Sequence, residues 1–476
     1  MFFLVILYPT ILLGDFMHKL SRSLLVLLIF LNGYISLSLE LLILRQLDFF
    51  VGSSAVITSI IMAIFLGFMS LGYFVGESSR VSDKQISKIL SHSFIIIALF
   101  SIFSASFAFV TMFFGFMYLC GVTSGAFQTF IFSLIFLSIG PFLFGFNTTL
   151  LSRLLRAIDK KSVGNIMAWD TIGSVIGSIA TTLILMPFVG VNNTVCLMTI
   201  LAVLCALLTR RNWIVCIVGV AMVLFSGYIN SNSYQYNTFG ILVNNANSTI
   251  SVFDSGANRT LYMNGLPMSV LNYQDNQMAD YINYLDTNFI YNMPSDHPRK
   301  ILVLGAGGFT LGLRDTFHDY TFIDIEHTLQ DISETHFLKQ KLTPNKKFIV
   351  QDASQFLKNT PDMYDFILLD VYSNSYQVPE SFLTYEFMQR LKSRVAQNGI
   401  IAVNMIVEPE FSDAYSRVFD NTFRSVFPYN TSRQIIGDFN PWLSSDGASN
   451  VIYVYYNIEN DGRIYTIDKT PVIYDR

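Results

Sequence analysis

Ile301-Leu302-Val303-Leu304-Gly305-Ala306-Gly307-Gly308 is the stretch on which the fold turns. Four consecutive apolar residues followed at once by glycines read as a short strand buried on both faces, as in a parallel sheet. The glycines Gly305, Gly307 and Gly308 let the backbone approach a ligand closely. The pattern then alternates. A helical segment is expected to Phe317, a strand over Tyr320–Ile323 ending at Asp324, and a helix near Leu329–Leu338. Further strands are expected at Phe348–Val350, followed by Asp352, at Phe366–Leu369, followed by Asp370, and at Ile400–Met405, with a helix over Pro379–Val395 before the last. This alternation predicts a doubly wound α/β sheet, in which ligands bind beyond the carboxyl ends of the strands.

The acids fall where such a sheet places a nucleoside. Asp324 lies 19 residues beyond Gly305, where a carboxylate can accept hydrogen bonds from both ribose hydroxyls. Asp352, after the third strand, can accept from an exocyclic amine, and Asp370 faces the same crevice. A nicotinamide dinucleotide fits less well, because its glycine fingerprint requires glycine at position 310, which is Thr310.

Working outward toward the N-terminus, alternating runs at Thr249–Phe253 and Thr260–Met263 flank Gly256 and Asn258 and predict a β-hairpin, closed by the turn pair Asn264-Gly265. A helical stretch is expected around Asp275–Leu285. Before Asn230 the composition changes completely. The whole chain has 476 residues and is 52% hydrophobic and only 13% charged, against about 25% charged in ordinary globular domains. Up to Asn230 there are 12 Lys/Arg and 7 Asp/Glu; beyond it there are 18 and 27. An acidic C-terminal half lacks the basic face that nucleic acid requires. The expected organisation is a transmembrane domain over 1–230 and a polar part over 231–476, with the hairpin region at 231–270 and a nucleoside-binding α/β domain at 271–476.

Seven stretches are long and apolar enough to span a bilayer or nearly so, about 23–44, 54–76, 92–114, 124–145, 164–187, 191–208 and 213–229. Met1–Leu13 is too short to span and lacks the features of a signal peptide. Eleven Lys/Arg fall in the segments on one side of these spans, and only Arg45 borders the other. The positive-inside rule puts the basic loops in the cytoplasm of a bacterial cell-membrane protein, and seven spans then put the polar half outside it. Within the spans, Glu40 and Arg45 near the end of the first and Asp170 in the fifth read either as polar groups fixing helix packing or as a polar path for a small substrate. Gly173 and Gly177 form a pair suited to close helix contact.

The four cysteines lie in the apolar half with no zinc-like spacing, and His318, His327 and His336 read as surface residues, so no metal is expected. Trp442 and Tyr453–Tyr456 read as strand and core.

In these features the chain resembles the aminopropyltransferase (spermidine synthase-like) family, and most closely its membrane-fused members. The resemblance covers about Ser21 to Tyr455. It is carried by Glu40–Arg45, Phe49–Ser53 and Phe65-Leu66-Gly67 in the apolar half. In the polar half it is carried by Leu261–Gly265, Ile301–Gly308, Asp324, Asp352-Ala353, Asp370–Ser373 and Val378–Leu383. It implies a methyltransferase-like Rossmann domain that transfers an aminopropyl group from decarboxylated S-adenosylmethionine to a small amine, with no metal. It further implies that Asp324 holds the ribose, that Asp352 and Ala353 read the adenine, that Asp370 accepts the proton of the attacking amine, and that Tyr281, Tyr372 and Ser373 line the amine side. The amine side departs from the family pattern. Gly308 stands where the family has Asp, Ser373 where it has a second acid, Tyr281-Ile282 where it has Tyr-Gln or Tyr-His, and Met268 where it has Gln. Two alternatives follow: a methyltransferase using S-adenosylmethionine itself, or a non-catalytic domain that binds a nucleoside or polyamine and regulates the helices.

Overall fold

The computed structural model describes residues 20–52, 54–158, 163–372, 378–438 and 448–459. Met1–Leu13, Ser373 and Trp442 lie outside these residues. The chain forms two compact units, Met1–Ser251 with Met263–Gly265, and Val252–Tyr262 with Leu266–Arg476.

The first unit is helical. Its helices are α1 (Arg22–Val51), α2 (Ala55–Ser78), α3 (Asp83–Ala105), α4 (Phe107–Leu119), α5 (Gly125–Phe136) and α6 (Ile139–Ile158). Then come α7 (Val163–Ala180), continued by a π-helical segment Thr181–Val189, α8 (Val191–Thr209), α9 (Trp213–Ile229) and α10 (Asn232–Phe239). Polar residues sit at several helix starts, as the orphan amides of a first turn require. Ser21, Ser54 and Ser124 accept from Leu24, Ile57 and Phe127, and Asn212 accepts from Ile214. The stretch expected over 92–114 is divided at Ser106, where the backbone is extended, α3 ends and α4 begins. The stretch at 124–145 is likewise divided into α5 and α6, bent by 45°. Five helices are each long and apolar enough to cross a membrane, or up to seven if each bent pair is one span.

Helix directions follow from the contacts. Phe30, Tyr34 and Ser38 of α1 meet Gly173, Gly177 and Thr181 in that order, so α1 and α7 run the same way. A Cβ at Gly173 would lie 2.1 Å from the Phe30 carbonyl oxygen, which explains the glycine pair. Met69, Gly72 and Gly76 of α2 meet Gly145, Phe142 and Phe146, and Thr149, so α2 and α6 also run together. In contrast, Ser91 and Ser101 of α3 bond to Ala206 and Thr199 of α8, an antiparallel pair. Val203 and Cys196 of α8 meet Gly219 and Gly227 of α9, another antiparallel pair.

Between the apolar helices and the α/β region in sequence is a four-stranded sheet in the order β1-β2-β3-β4: β1 (Ile241–Asn244), β2 (Thr249–Ser255), β3 (Asn258–Met263) and β4 (Leu266–Asn272). The expected hairpin is its centre, and β1 and β4 extend it. Helix α11 (Asp280–Leu285) follows, with one π turn at Asp286–Ile290, so the expected helix begins five residues later than Asp275.

The remainder of the second unit is a seven-stranded mixed sheet in the order β10-β11-β9-β8-β5-β6-β7. Its strands are β5 (Lys300–Leu304), β6 (Asp319–Asp324), β7 (Lys346–Val350), β8 (Tyr364–Leu369), β9 (Val395–Val407), β10 (Thr431–Asp438) and β11 (Ser449–Tyr456). Neighbours from β9 to β7 are parallel, and β11 and β10 add antiparallel strands at one edge. Val451–Tyr455 are buried, as expected of a core strand. Helices α12 (Leu329–Ile332, continued by a π turn to Phe337), α13 (Ala353–Asn359), α14 (Tyr385–Lys392) and α15 (Ala414–Val426) complete the described part.

One expected helix is absent. Gly308–Phe317 forms successive turns, with Phe309, Leu313 and Asp315 donating to Ala306, Thr310 and Gly312. Phe309 and Gly312 have φ of 60° and 61°, left-handed values that a right-handed helix cannot contain. The helix expected over Pro379–Val395 is a 3₁₀ turn (Glu380–Phe382) followed by α14.

Candidate functional site

β5 is the point at which the strand order reverses, because it pairs with β6 on one side and β8 on the other. Such a switch opens a crevice at the carboxyl ends of the strands. At that end of four neighbouring strands, β8 is followed by Asp370, β5 by Gly305 and β7, two residues on, by Asp352, while β6 ends at Asp324. Adjacent strands are about 4.8 Å apart, so the pairing of these strands lines the four positions along one rim.

Gly305 is fixed by approach and conformation together. Its φ is 91°, and a Cβ would lie 2.1 Å from the Asp370 carbonyl oxygen. Its amide donates to Ile323 and the Asp370 amide donates to Leu304, which ties the loop to both neighbouring strands. Gly307 also has positive φ, 49°. Gly308 donates to Ser269 Oγ at 2.8 Å, and a Cβ there would lie 2.3 Å from the Phe337 ring. The space that an aspartate would need at this position is thus filled by Phe337 and Ser269.

Asp324 Oδ2 accepts from the Ala306 amide at 3.1 Å and Oδ1 from the Glu326 amide at 3.0 Å. Burial raises its pKa, and these amide bonds oppose the shift. The Ile325 amide also bonds to this carboxylate, so most of its acceptor capacity goes to ordering the loop, with part left toward the crevice. Asp352 caps α13, its Oδ1 accepting from Gln355 at 2.8 Å, and Ala353 is the buried first residue of that helix. One oxygen of Asp352 is therefore committed to structure rather than to a ligand.

Asp370 is held from two sides. Oδ2 accepts from the Tyr281 hydroxyl at 2.8 Å and Oδ1 from Asn404 Nδ2 at 2.9 Å. Burial pushes its pKa up, while the two hydrogen bonds favour the charged form and pull it back. Burial and the Asp370 charge push the Tyr281 phenol well above its ordinary value, so it stays a donor. Tyr372 is drawn into the same group, its hydroxyl donating to the Asn404 carbonyl at 2.8 Å. The structure thus brings Tyr281, Tyr372, Asp370 and Gly305 together and sets Asp324 beside the glycine loop.

Sequence reading missed Asn404, Ser269 and Asp286. Asp286 is 1% exposed and accepts from the Gly312 amide at 2.8 Å, pinning the turn that replaces the expected helix. Burial raises its pKa to about 6. Asn404 was legible only as a polar interruption in the apolar run Ile400–Met405. His318 is buried, not on the surface, with Nδ1 accepting from the Arg299 amide. Among the described residues no group of three or more His, Cys, Asp or Glu stands ready to hold a metal.

A glycine loop and carboxylates at neighbouring strand ends define an α/β domain of the kind whose switch point suits a small ligand. Residues 287–436 match the family model of the spermine/spermidine synthase domain. The polyamine aminopropyltransferase of Sulfurisphaera tokodaii is 28% identical over 141 residues, covering 28% of this chain and 46% of that protein. Polyamine aminopropyltransferase 2 of Pseudomonas aeruginosa is 25% identical over 142 residues, covering 28% of this chain and 40% of that protein. The chain thus spans less than half the length of these curated relatives. Among solved structures, spermidine synthase from Thermotoga maritima is 15% identical with a TM-score of 0.35, covering 44% of this chain and 70% of that one.

Proposed function

We propose that this chain is a membrane-bound aminopropyltransferase that moves the aminopropyl group of decarboxylated S-adenosylmethionine onto a small amine. The observation that carries this reading is Asp370, fixed between Tyr281 and Asn404 beside the glycine loop of a spermine/spermidine synthase domain. Gly305 and Gly307 leave room for the donor, Asp324 accepts from its ribose, and Asp352 and Ala353 flank the adenine. The attacking nitrogen forms a C–N bond as the adjacent C–S bond breaks, the bonding pair passing to sulfur to release methylthioadenosine. The proton leaving nitrogen goes to Asp370. A partly buried carboxylate suits this step, because it attracts the cationic amine and, with its pKa raised, is a stronger base.

On the amine side Phe337 closes the position of the family's glycine-loop aspartate, and Tyr281 and Tyr372 supply hydroxyls rather than charge. This favours an acceptor carrying fewer charges than a diamine.

Bilayer insertion is supported by apolar surface and by direction. Phe74, Leu119, Phe188, Trp213 and Leu224 are all at least 69% exposed, more apolar surface than a water-soluble face carries. The parallel pairs α1–α7 and α2–α6 and the antiparallel pairs α3–α8 and α8–α9 fit seven alternating passes, with α4 not crossing. Arg153 of α6 donates to Ser79 and Val81 after α2, and Arg156 pairs with Glu77, so the basic loops gather at one end.

Asp370→Asn keeps the size and removes the proton acceptor. In the purified full-length protein, given decarboxylated S-adenosylmethionine and a panel of amines, turnover to methylthioadenosine should fall about 10²–10⁴-fold with donor affinity retained. Wild-type activity in the variant, or S-adenosylhomocysteine from S-adenosylmethionine as the sole product, refutes the assignment.

A further inference from the structure

The helical unit contains a second concentration of acceptors, apart from the synthase crevice and unused by it. Asn32, Ser36 and Glu40 recur every four residues along α1, so they share one face. That face looks onto a cavity of about 90 Å³ whose polar lining also includes Thr148 and Asp170. One water needs about 10–15 Å³ of such space, so the cavity has room for a multi-atom ligand.

Its chemistry is one-sided. Glu40 is 5% exposed and has no hydrogen-bond or ion-pair partner among the described residues. Arg45, one turn beyond, is turned elsewhere and donates to the Asn245 carbonyl and Thr249 Oγ1. Asp170 has Thr148 Oγ1 at 3.4 Å. Asn32 is 1% exposed; its Nδ2 is spent on the Phe144 carbonyl and Thr148, while its Oδ1 is buried without any partner. No Lys, Arg or His lines the cavity. Two carboxyl groups therefore line the space with no cation to answer them, Asp170 helped only by the neutral donors Thr148 and Asn32 and Glu40 by none, while Asn32 Oδ1 is buried beside them without a partner. An unanswered acceptor in an apolar interior is costly, and a bound cation would remove the cost.

The shape narrows which cation. Asp170 packs its backbone on Gly33, and Glu40 lies seven residues further along α1, roughly 10 Å at 1.5 Å per residue. The wall also includes Leu37, Leu66 and Met69. Acids about two turns apart on a partly apolar wall match a short alkyl chain bearing ammonium groups better than a bare inorganic ion. We propose that this cavity is a binding site for an aliphatic ammonium ion, a short α,ω-diammonium engaging both Glu40 and Asp170. The site is independent of the transferase reading.

The test uses the full-length protein in lipid nanodiscs with Asp370→Asn in every sample, so that the synthase crevice has lost the carboxylate proposed to draw in its amine. Equilibrium binding of radiolabelled 1,4-diaminobutane is measured in the absence of nucleoside. One saturable site is expected. Glu40→Gln and Asp170→Asn, both near-isosteric, should each weaken it at least tenfold, and Ser36→Leu, which fills the space without removing charge, should abolish it. Thermal melting of each variant verifies folding. Absence of a saturable site overturns the proposal, as does binding that Glu40→Gln and Asp170→Asn leave unchanged. Sodium ions displacing the diamine at equal concentration also overturn it, by marking an inorganic-cation site.

Discussion

Asp370 takes its character from two neighbours, and each can be removed separately. The Tyr281 hydroxyl favours the ionised carboxylate, so Tyr281→Phe should raise the Asp370 pKa above its already elevated value. A base must be ionised to act. The acid limb of the kcat/KM profile should therefore move to higher pH in Tyr281→Phe, and in Asn404→Leu for the same reason. A limb that stays put or moves to lower pH would show that another group sets it. Asp324→Ala removes the acceptors proposed for ribose. Hydrogen bonds to charged groups are worth about 1.5–3 kcal/mol, so affinity for an adenosyl ligand should fall tenfold or more by calorimetry. The three acids were legible in the sequence because each closes an apolar run. Asn404 was not, because a lone polar residue inside a strand carries no signal of the residue it faces.

At the scale of elements, the hairpin β2–β3 and the strands β5 to β9 were readable, whereas β1, β4, β10 and the segment after β5 were not. Apolar runs bounded by turn residues mark buried strands whatever surrounds them. The expected helix after the glycine loop fails because its periodic apolar residues serve turns, with Phe309 left-handed and buried and Gly312 anchored by Asp286. The signal for that outcome, a buried carboxylate 26 residues upstream, is tertiary. The packing of Gly308 on Phe337 makes a further prediction. Gly308→Asp should destabilise the domain by about 1–3 kcal/mol through overpacking. With Phe337→Leu alongside, the loss should be smaller than the two single losses added, a coupling of about 0.5–3 kcal/mol. Chemical denaturation of the four proteins measures it, and strict additivity would disprove the contact.

The whole molecule poses a question of sidedness. The helix directions fit an odd number of passes, so the C-terminal domain should leave the bilayer on the side opposite the basic loops. An alkaline phosphatase fused after Arg476 should be active in cells, and green fluorescent protein fused there should be dark. The reverse pattern would place the domain in the cytoplasm, beside the source of adenosyl donors. The outside placement implies instead a donor or acceptor arriving from beyond the membrane. Composition alone announced the apolar half, but the order in which its helices pair required the contacts of small residues such as Gly72 and Gly173.

The turns that replace the helix after β5 have an electrostatic consequence. A helix starting beside a glycine loop would aim its free amides into the crevice and hold phosphate. Here no helix starts there, and carboxylates stand on β6, β7 and β8 instead. Phosphorylated nucleotides, the commonest adenosine compounds in a cell, would meet like charge, and the one helix start on this rim, that of α13, is already capped by Asp352. A sulfonium nucleoside, the donor of the proposed function, is positive at sulfur and free of phosphate and would meet no such barrier, so a crevice of this charge would sort its ligands by sign before shape is consulted.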